Sequence, residues 1–236
     1  MRCLTLLLGV FLILPLYAAR QMTRLVSPQE GATLPVTLPK SLKVEHLRAG
    51  QLVVARLSQR VPLDNERYLP AGVEVVGHIV SVTPSSLSIL FTELRWKTQT
   101  VPIRVRLVAA ASFQKVFQAG LPVGGTDRGT SDPADYTTRQ VGGDQVYLSA
   151  GSGKVYDQYS QPVGYADLHG VYAEPRSAGE PPRAMGPFST TATGLHGLGE
   201  FAIVSPGDAR TPITFAVNKP KGRIGQGGAL LLEVVR

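Results

Sequence analysis

At 236 residues, the chain is long enough for one large domain or for two small domains that each bury a core, and two small ones fit better. Its 43% hydrophobic and 17% charged residues exclude a disordered chain, and the polar interruptions between apolar runs exclude a protein with many membrane spans. The net charge of +7 comes from scattered Lys and Arg rather than from a basic block, so we expect solvated surface and no specific nucleic-acid binding.

Residues 1–19 are predicted to be a secretory signal peptide, because Arg2 precedes an apolar run over 4–16 and small residues follow it. The run is shorter than the roughly 20 apolar residues of a membrane span, so cleavage is favoured over an uncleaved anchor. Only such an anchor would bring the chain to a membrane. Cys3 is the one cysteine and would be removed, which leaves no disulfide or thiolate chemistry. We therefore expect an exported protein of the periplasm or cell envelope, with an extracellular location as the alternative.

Residues 20–40 hold three prolines and no sustained period, and they are predicted to be an extended linker without a core. Short runs rich in Val, Ile and Leu follow over residues 41–111, each bounded by Gly, Pro, Asn or Ser. Such runs are typical of strands, and they predict an N-terminal β-domain. The runs are LKVEHL, QLVVARL, GVEVVGHIVSV, SLSILFTEL and QTVPIRVRLVAA.

One segment of this domain occurs twice in loose form, as RAGQLVVARL at residues 48–57 and as PAGVEVVGHI at residues 70–79. Each copy places Ala-Gly ahead of an apolar strand, and glycine tolerates the positive φ that a turn requires. The repeat predicts a turn that leads into a strand, used twice, with the two strands as neighbours in one antiparallel sheet.

Residues 112–140 shift to Gly, Thr, Asp and Pro and are predicted to be the linker between two domains, opened by two helical turns in SFQKVFQA. Residues 141–236 are predicted to form a C-terminal β-domain with early hairpins, a long surface loop at 175–200 and three late strands. The expected fold class is all-β, with two small antiparallel β-sandwich or barrel-like domains after the signal peptide.

Three motifs follow one another within residues 47–108: a strand led by Gly50, the LPAGVEVVG stretch at 69–77, and the ILFTEL step at 89–94. In this order they resemble the β-domain of the TrbI-like family of conjugation and type IV secretion channels. The resemblance implies a β-module related to a secretion system and carries no enzymatic activity with it. The layout as a whole is similar to exported β-proteins of Gram-negative bacteria.

The sequence carries no recognisable catalytic or metal-binding pattern. The chain has no G-x-S-x-G elbow and no H-E-x-x-H spacing, and its four histidines stand apart in the sequence. His169 and His196 flank the predicted loop and could meet in space, but no third ligand accompanies them. We therefore predict no catalytic residue, no metal site and no cofactor, and an enzyme is the less favoured interpretation.

Aromatic residues of the C-terminal domain give the only candidate binding site. Five tyrosines fall within 147–172, and tyrosines exposed on a β-surface can stack on sugars or peptides, although packing in a core or at an edge is the more common role. The candidate ligand-binding residues are Tyr165, His169, Tyr172 and His196.

Two functional hypotheses follow. The first is an exported, non-enzymatic cell-envelope protein that makes structural or protein–protein contacts, with envelope proteins or anionic surface polymers as partners. The alternative is a carbohydrate- or polymer-binding module, or a weak hydrolase, that uses the C-terminal domain.

Overall fold

The computed structural model describes residues 25–64, 66–123, 136–149, 152–219 and 221–236. This part of the chain is mostly β-strand with one short α-helix, so the predicted all-β class is confirmed. The signal peptide predicted for residues 1–19 lies outside the described residues.

The described elements follow the chain in this order: β1 Thr33–Thr37, β2 Leu42–Lys43, the 3₁₀ helix Val44–His46, β3 Leu52–Leu57, β4 Val61–Pro62, β5 Tyr68–Leu69, β6 Glu74–Thr83, β7 Ser86–Trp96, β8 Gln99–Pro102, β9 Val105–Ala111, α1 Phe113–Ala119, β10 Tyr136–Arg139, β11 Gln145–Ser149, β12 Ser152–Tyr156, β13 Pro162–Asp167, β14 Gly170–Ala173, β15 Arg183–Ala184, β16 Gly194–His196, β17 Phe201–Ser205, β18 Ile213–Val217, β19 Arg223–Ile224 and β20 Ala229–Val234.

Ten strands form one large sheet in the order β16-β9-β20-β1-β3-β6-β7-β18-β17, with β8 paired to β7. The strand pairs are antiparallel except β16 with β9, which run in the same direction. The sheet curls until β16 and β17 lie side by side, which gives a nearly closed barrel. Because side chains alternate along each strand, one face of every strand fills the interior of the barrel with Val, Leu, Ile and Phe.

The predicted division into domains over 41–111 and 141–236 is not confirmed by the strand pairing. In the large sheet, β18 pairs with β7, and β20 pairs with both β1 and β9. Late strands therefore complete a sheet that early strands begin. Local hydrophobic patterning predicts that a strand exists, but it does not encode which distant strand lies beside it.

The predicted linker over 20–40 contains a central strand, and the expectation that it holds no core was wrong. Leu34 and Val36 in β1 and Leu38 just after it are buried in the barrel. Pro35 is tolerated because its nitrogen faces the β3 side, like its carbonyl, which accepts from the N–H of Ser58 at 2.9 Å. The β1–β3 ladder pairs only Val36 and Thr37, so no ladder hydrogen bond needs a donor at Pro35.

The repeated segment behaves as its sequence predicts. Gly50 and Gly72 have φ of 81° and 84°, and the strands they lead into, β3 and β6, are antiparallel neighbours. The N–H of Gly50 donates to the carbonyl of Ile79, and the N–H of Gly72 donates to the carbonyl of Leu57, both at 2.8 Å. Each turn therefore closes onto the far end of the other copy's strand.

The next hydrogen bonds inward are matched as well. The N–H of Ile79 donates to the carbonyl of Gln51, and the N–H of Leu57 donates to the carbonyl of Val73, both at 2.9 Å. In each pair of bonds, moving one partner 22 residues forward and the other 22 residues back converts one bond into the other. The two copies are thus related by a local two-fold axis within the sheet, which explains why the chain repeats itself.

Strands β10 to β15 form a second sheet in sequence order, a meander of antiparallel neighbours. This small sheet and its connection to β16 pack against the outside of the barrel at β9 and β20. Residues 109–111 of β9 and 229–232 of β20 are accordingly apolar on both faces. The second core holds Ala109, Ala111, Val141, Ala173, Met185, Phe188, Ala192, Ala229 and Leu231.

The helical turns predicted in SFQKVFQA are confirmed and form α1. The hydroxyl of Ser112 caps the first turn, because it accepts a hydrogen bond from the N–H of Lys115.

The stretch at 175–200, predicted to be a surface loop, contains the buried side chains of Met185 and Phe188. Its middle is therefore part of the second core rather than a surface excursion.

The glycine turns lead to the first prediction. Gly50→Ala and Gly72→Ala should each lower the free energy of unfolding by about 1 kcal/mol, because an L-residue is strained at positive φ even where space is free. Urea denaturation would measure the change. Gly199→Ala is the matched control, since a Cβ there meets nothing within 4 Å and its backbone lies outside the left-handed region, so its stability should be unchanged. Equal effects at all three positions would contradict the role of positive φ.

Candidate functional site

A row of large side chains crosses four strands of the small sheet on one face. Tyr147 of β11 lies opposite Lys154 of β12, Lys154 lies opposite Tyr165 of β13, and Tyr165 lies opposite Tyr172 of β14. Tyr156 joins the row diagonally, with its ring 5.3 Å from that of Tyr147 in an edge-to-face arrangement. We refer to these five residues as the tyrosine face.

The other face of the same strands explains why the tyrosines gather. Val146, Val155 and Ala166 alternate with them along β11, β12 and β13 and form a small buried cluster. Because successive side chains of a strand point to opposite faces, burial of these apolar residues directs the tyrosines to the opposite side. The period-2 pattern of the sequence thus fixes the composition of the tyrosine face.

The rings of Tyr165 and Tyr172 are stacked, with centroids 5.2 Å apart and an angle of 26° between their planes. Tyr165 is 42% exposed, whereas Tyr172 is only 1% exposed. Tyr172 therefore cannot present its ring to a ligand, and its part in the site is to support Tyr165 from beneath.

Two buried polar atoms lie where the tyrosine face ends at Tyr172. Among the described residues, neither the hydroxyl of Tyr172 nor Nε of Arg60 has a hydrogen-bond partner. The guanidinium of Arg60 lies over the ring of Tyr68, 4.4 Å from its centroid, in a cation–π contact. The β4–β5 hairpin, a separate two-stranded sheet that carries Tyr68, therefore lies beside the tyrosine face.

Burial changes the acidity of both stacked tyrosines. Desolvation, reinforced by the charge of Asp167, raises the pKa of Tyr172 to about 12 against the opposing influence of Arg60. The pKa of Tyr165 is also raised, first by burial and then by Asp167 and Tyr68. Both hydroxyls stay protonated at neutral pH and remain available as hydrogen-bond donors.

A buried glutamine fixes the small sheet against the barrel beside this site. Gln59 is 4% exposed, and its Nε2 donates to the carbonyl of Val171 at 2.9 Å. Its Oε1 accepts from the N–H of Val171 at 3.0 Å and from the N–H of Gly186 at 2.9 Å. The side-chain amide thus pairs with β14 as another strand would. The sequence offers no signal for this role, because it depends on residues more than a hundred positions away.

The four candidate ligand-binding residues are not gathered into one site. Tyr165 and Tyr172 lie together as described above, and His169 is exposed in the turn after β13, where its N–H donates to Oδ1 of Asp167 at 2.7 Å. His196 ends β16 in the large sheet, opposite Ala111. The two histidines are therefore on different sheets, and in the described part of the chain no hydrogen bond or ion pair joins them.

No group of three or more metal-ligating side chains is found within the described ranges. The tyrosine face itself offers flat aromatic surface, phenolic hydroxyls and one ammonium group. These are the means of binding another molecule by stacking and hydrogen bonding.

In comparisons with known proteins, no family model, no curated protein and no solved structure matches this chain. The resemblance of residues 47–108 to the TrbI-like family therefore stays a prediction. Across the residues that the structure describes, no helix combines the length and apolar character needed to cross a bilayer.

The unpartnered hydroxyl gives the second prediction. Tyr172→Phe should leave the free energy of unfolding at neutral pH unchanged or slightly higher, because it removes a buried polar group that has no partner in the described structure. Urea denaturation would test this. A loss of about 1 kcal/mol or more would show instead that the hydroxyl bonds to Arg60.

The raised pKa of Tyr172 predicts how stability depends on alkaline pH. In the unfolded chain this tyrosine ionises near its ordinary value of 10.0, and in the folded chain it ionises at about 12. The unfolded state therefore loses the proton first, so the stability present below pH 10 falls as the pH rises toward 12. Urea denaturation over this range should show a shallower fall for Tyr172→Phe than for the control Tyr159→Phe, whose ring is 73% exposed. Identical slopes would contradict the assignment.

Proposed function

We propose that the protein is an exported, non-enzymatic protein of the cell envelope that makes protein–protein contacts through the tyrosine face. The observation that carries this proposal is the cross-strand row of Tyr147, Lys154 and Tyr165 on one side of a sheet whose opposite side is buried. Tyrosine supplies large amphipathic contact area with only two side-chain torsions, and it is enriched in protein interfaces.

The preorganisation of this face supports a binding role. Tyr165 is held by the buried ring of Tyr172, and Tyr147 is held edge-to-face by Tyr156. Side chains that are already ordered in the free protein lose little rotamer entropy when a partner arrives. More of the contact energy then remains as affinity.

Charge favours an acidic partner. Lys154 is exposed between two tyrosines, and the chain as a whole carries a net charge of +7. A positive protein attracts acidic surfaces over distances comparable to the Debye length, which raises the rate of association. Acidic envelope proteins and anionic surface polymers both fit this requirement.

The location and the class of partner rest on the sequence. The signal-peptide pattern of residues 1–19 supports export, and the TrbI-like resemblance of residues 47–108 supports a partner within a secretion-system assembly. Fractionation of cells that express the full chain would test the location. Recovery only from the cytoplasm would contradict export.

A carbohydrate or polymer ligand is the second candidate, and one observation favours it. The ring of Tyr165 is 42% exposed and rests flat on the ring beneath it, so it offers a fixed aromatic plane on which a sugar ring can stack. A glycan array probed with the full chain would test this. Binding that Tyr165→Ser abolishes would support the carbohydrate function in place of the protein contact.

The test of the protein-contact function compares two variants. The double variant Tyr147→Ser, Tyr165→Ser removes two rings of the tyrosine face. The control Tyr159→Ser removes an exposed tyrosine outside that face, in the turn between β12 and β13. After chemical crosslinking in the cell envelope, recovery of the principal partner should fall by about tenfold or more for the double variant. It should be unchanged for Tyr159→Ser.

Two outcomes would count against the proposal. The first is a partner recovered equally with both variants, which would place the contact on another surface. The second is the absence of any specific partner. Circular dichroism of the double variant serves as the folding control, because both rings are partly exposed and their removal should leave the sheet intact.

A further inference from the structure

A buried carboxylate lies on the outer face of the barrel, away from the tyrosine face. Glu233 of β20 is opposite Arg106 of β9, and its side chain is only 8% exposed. Its Oε1 accepts from Nη2 of Arg106 at 2.8 Å, and its Oε2 accepts from Nη2 of Arg176 at 2.8 Å. Burial alone would raise the pKa of Glu233, but the hydrogen bonds and charges of the two arginines outweigh it and lower the pKa.

A third arginine, Arg183, stands beside this group and borders the same cavity. Within the described residues, Arg183 forms no salt bridge, and its single hydrogen bond runs from Nε to the backbone carbonyl of Glu174 at 3.3 Å. Burial and the neighbouring charge of Arg176 lower the pKa of Arg183 against the opposing charges of Glu233 and Glu180. Three guanidinium groups thus surround the buried carboxylate of Glu233, and with Glu180 as a second nearby carboxylate the group carries one excess positive charge.

The arginines border a cavity of about 240 Å³. Thr190 and Thr193 contribute to its wall, and Met185 and Leu231 give it an apolar side. This volume is below the range of about 300–1,000 Å³ typical of sites for drug-sized ligands, but it accommodates a small charged group on a short stem. We refer to the space bordered by Arg106, Arg176, Arg183 and Glu233 as the arginine cleft.

A purely structural role accounts for only part of this arrangement. The bridge from Arg106 through Glu233 to Arg176 ties the connection after β14 to the barrel, and it needs two arginines. Arg183 adds like-charge repulsion beside Arg176 and a desolvation cost. An anion in the cavity would offset the like-charge repulsion and accept hydrogen bonds from the guanidinium groups.

We propose that the arginine cleft binds a compact oxyanion, namely a carboxylate or phosphate group carried on a short stem. The planar guanidinium fork matches the paired oxygens of either group and forms strong charge-assisted hydrogen bonds with them. The apolar wall at Met185 and Leu231 receives the stem. None of the residues that line this cavity belongs to the tyrosine face, so a test of anion binding is independent of the proposed function.

Calorimetric titration of the full chain tests the site with two probes, inorganic phosphate and acetate, at an ionic strength held constant with sodium chloride. At least one probe should bind to wild type. Arg183→Gln should weaken that binding by about tenfold or more, because within the described residues Arg183 is the arginine of the cleft that forms no salt bridge. Arg48→Gln is the matched control, since it removes an equal charge from an exposed turn and should bind as wild type does.

The two probes distinguish the carboxylate from the phosphate form of the ligand. Binding of neither probe would overturn the proposal, as would equal weakening by both substitutions, which would indicate general screening of the net charge. If Arg183→Gln does not fold, the Nε–Hε resonance of Arg183 in the wild-type NMR spectrum replaces it as the readout. A shift on titration with the bound probe supports the cleft, and an unchanged resonance overturns it.

Discussion

The structure depends on one strand that is buried on both faces. All six residues of β20, Ala229–Val234, are buried, and the strand lies between β1 and β9 in the middle of the large sheet. Leu230 and Leu232 fill the barrel, whereas Leu231 faces the second core outside it. Residues 229–232 are apolar on both faces and cannot remain at a surface, so the small sheet and its connection cover the barrel there.

Polar side chains then decide how that covering layer sits. Three side chains hydrogen-bond to the backbone of residues 186–190. Gln59 accepts from the N–H of Gly186, and Gln140 donates to the carbonyl of Phe188. Asp144 accepts from the N–H of Thr190. Each of these side chains satisfies backbone groups that burial would otherwise leave without partners. Hydrophobic burial brings the two layers together without selecting an angle, and these directional bonds select one. The tyrosine face owes its fixed orientation to them.

Features encoded by neighbouring residues could be predicted from the sequence. Strands β3, β6 and β7, the positive φ of both repeat glycines and the alternation that exposes the tyrosines all follow from local patterns. Features that require a distant partner could not be predicted. The late strands have the local pattern of a separate domain, and only the pairing of β20 with β1 and β9 shows that they belong to the large sheet. Pro35 favoured a linker over a strand, so the sequence did not predict that β1 is a core strand. Gln59 and Arg183 gave no signal because their roles come from packing alone.

The buried carboxylate of Glu233 and the half-buried guanidinium of Arg183 differ in how far the fold satisfies them. Glu233 is bonded on both oxygens by arginines from two different elements, so its burial is compensated within the fold. Arg183 faces the same cavity with a backbone carbonyl as its hydrogen-bond acceptor, and burial disfavours its charged form. A fold retains an incompletely paired cation at a cavity only at a cost in stability, and binding is the function that can offset such a cost. In the proposed site, Arg183 supplies donors that the fold leaves unused, because within the described residues its side chain makes a single hydrogen bond.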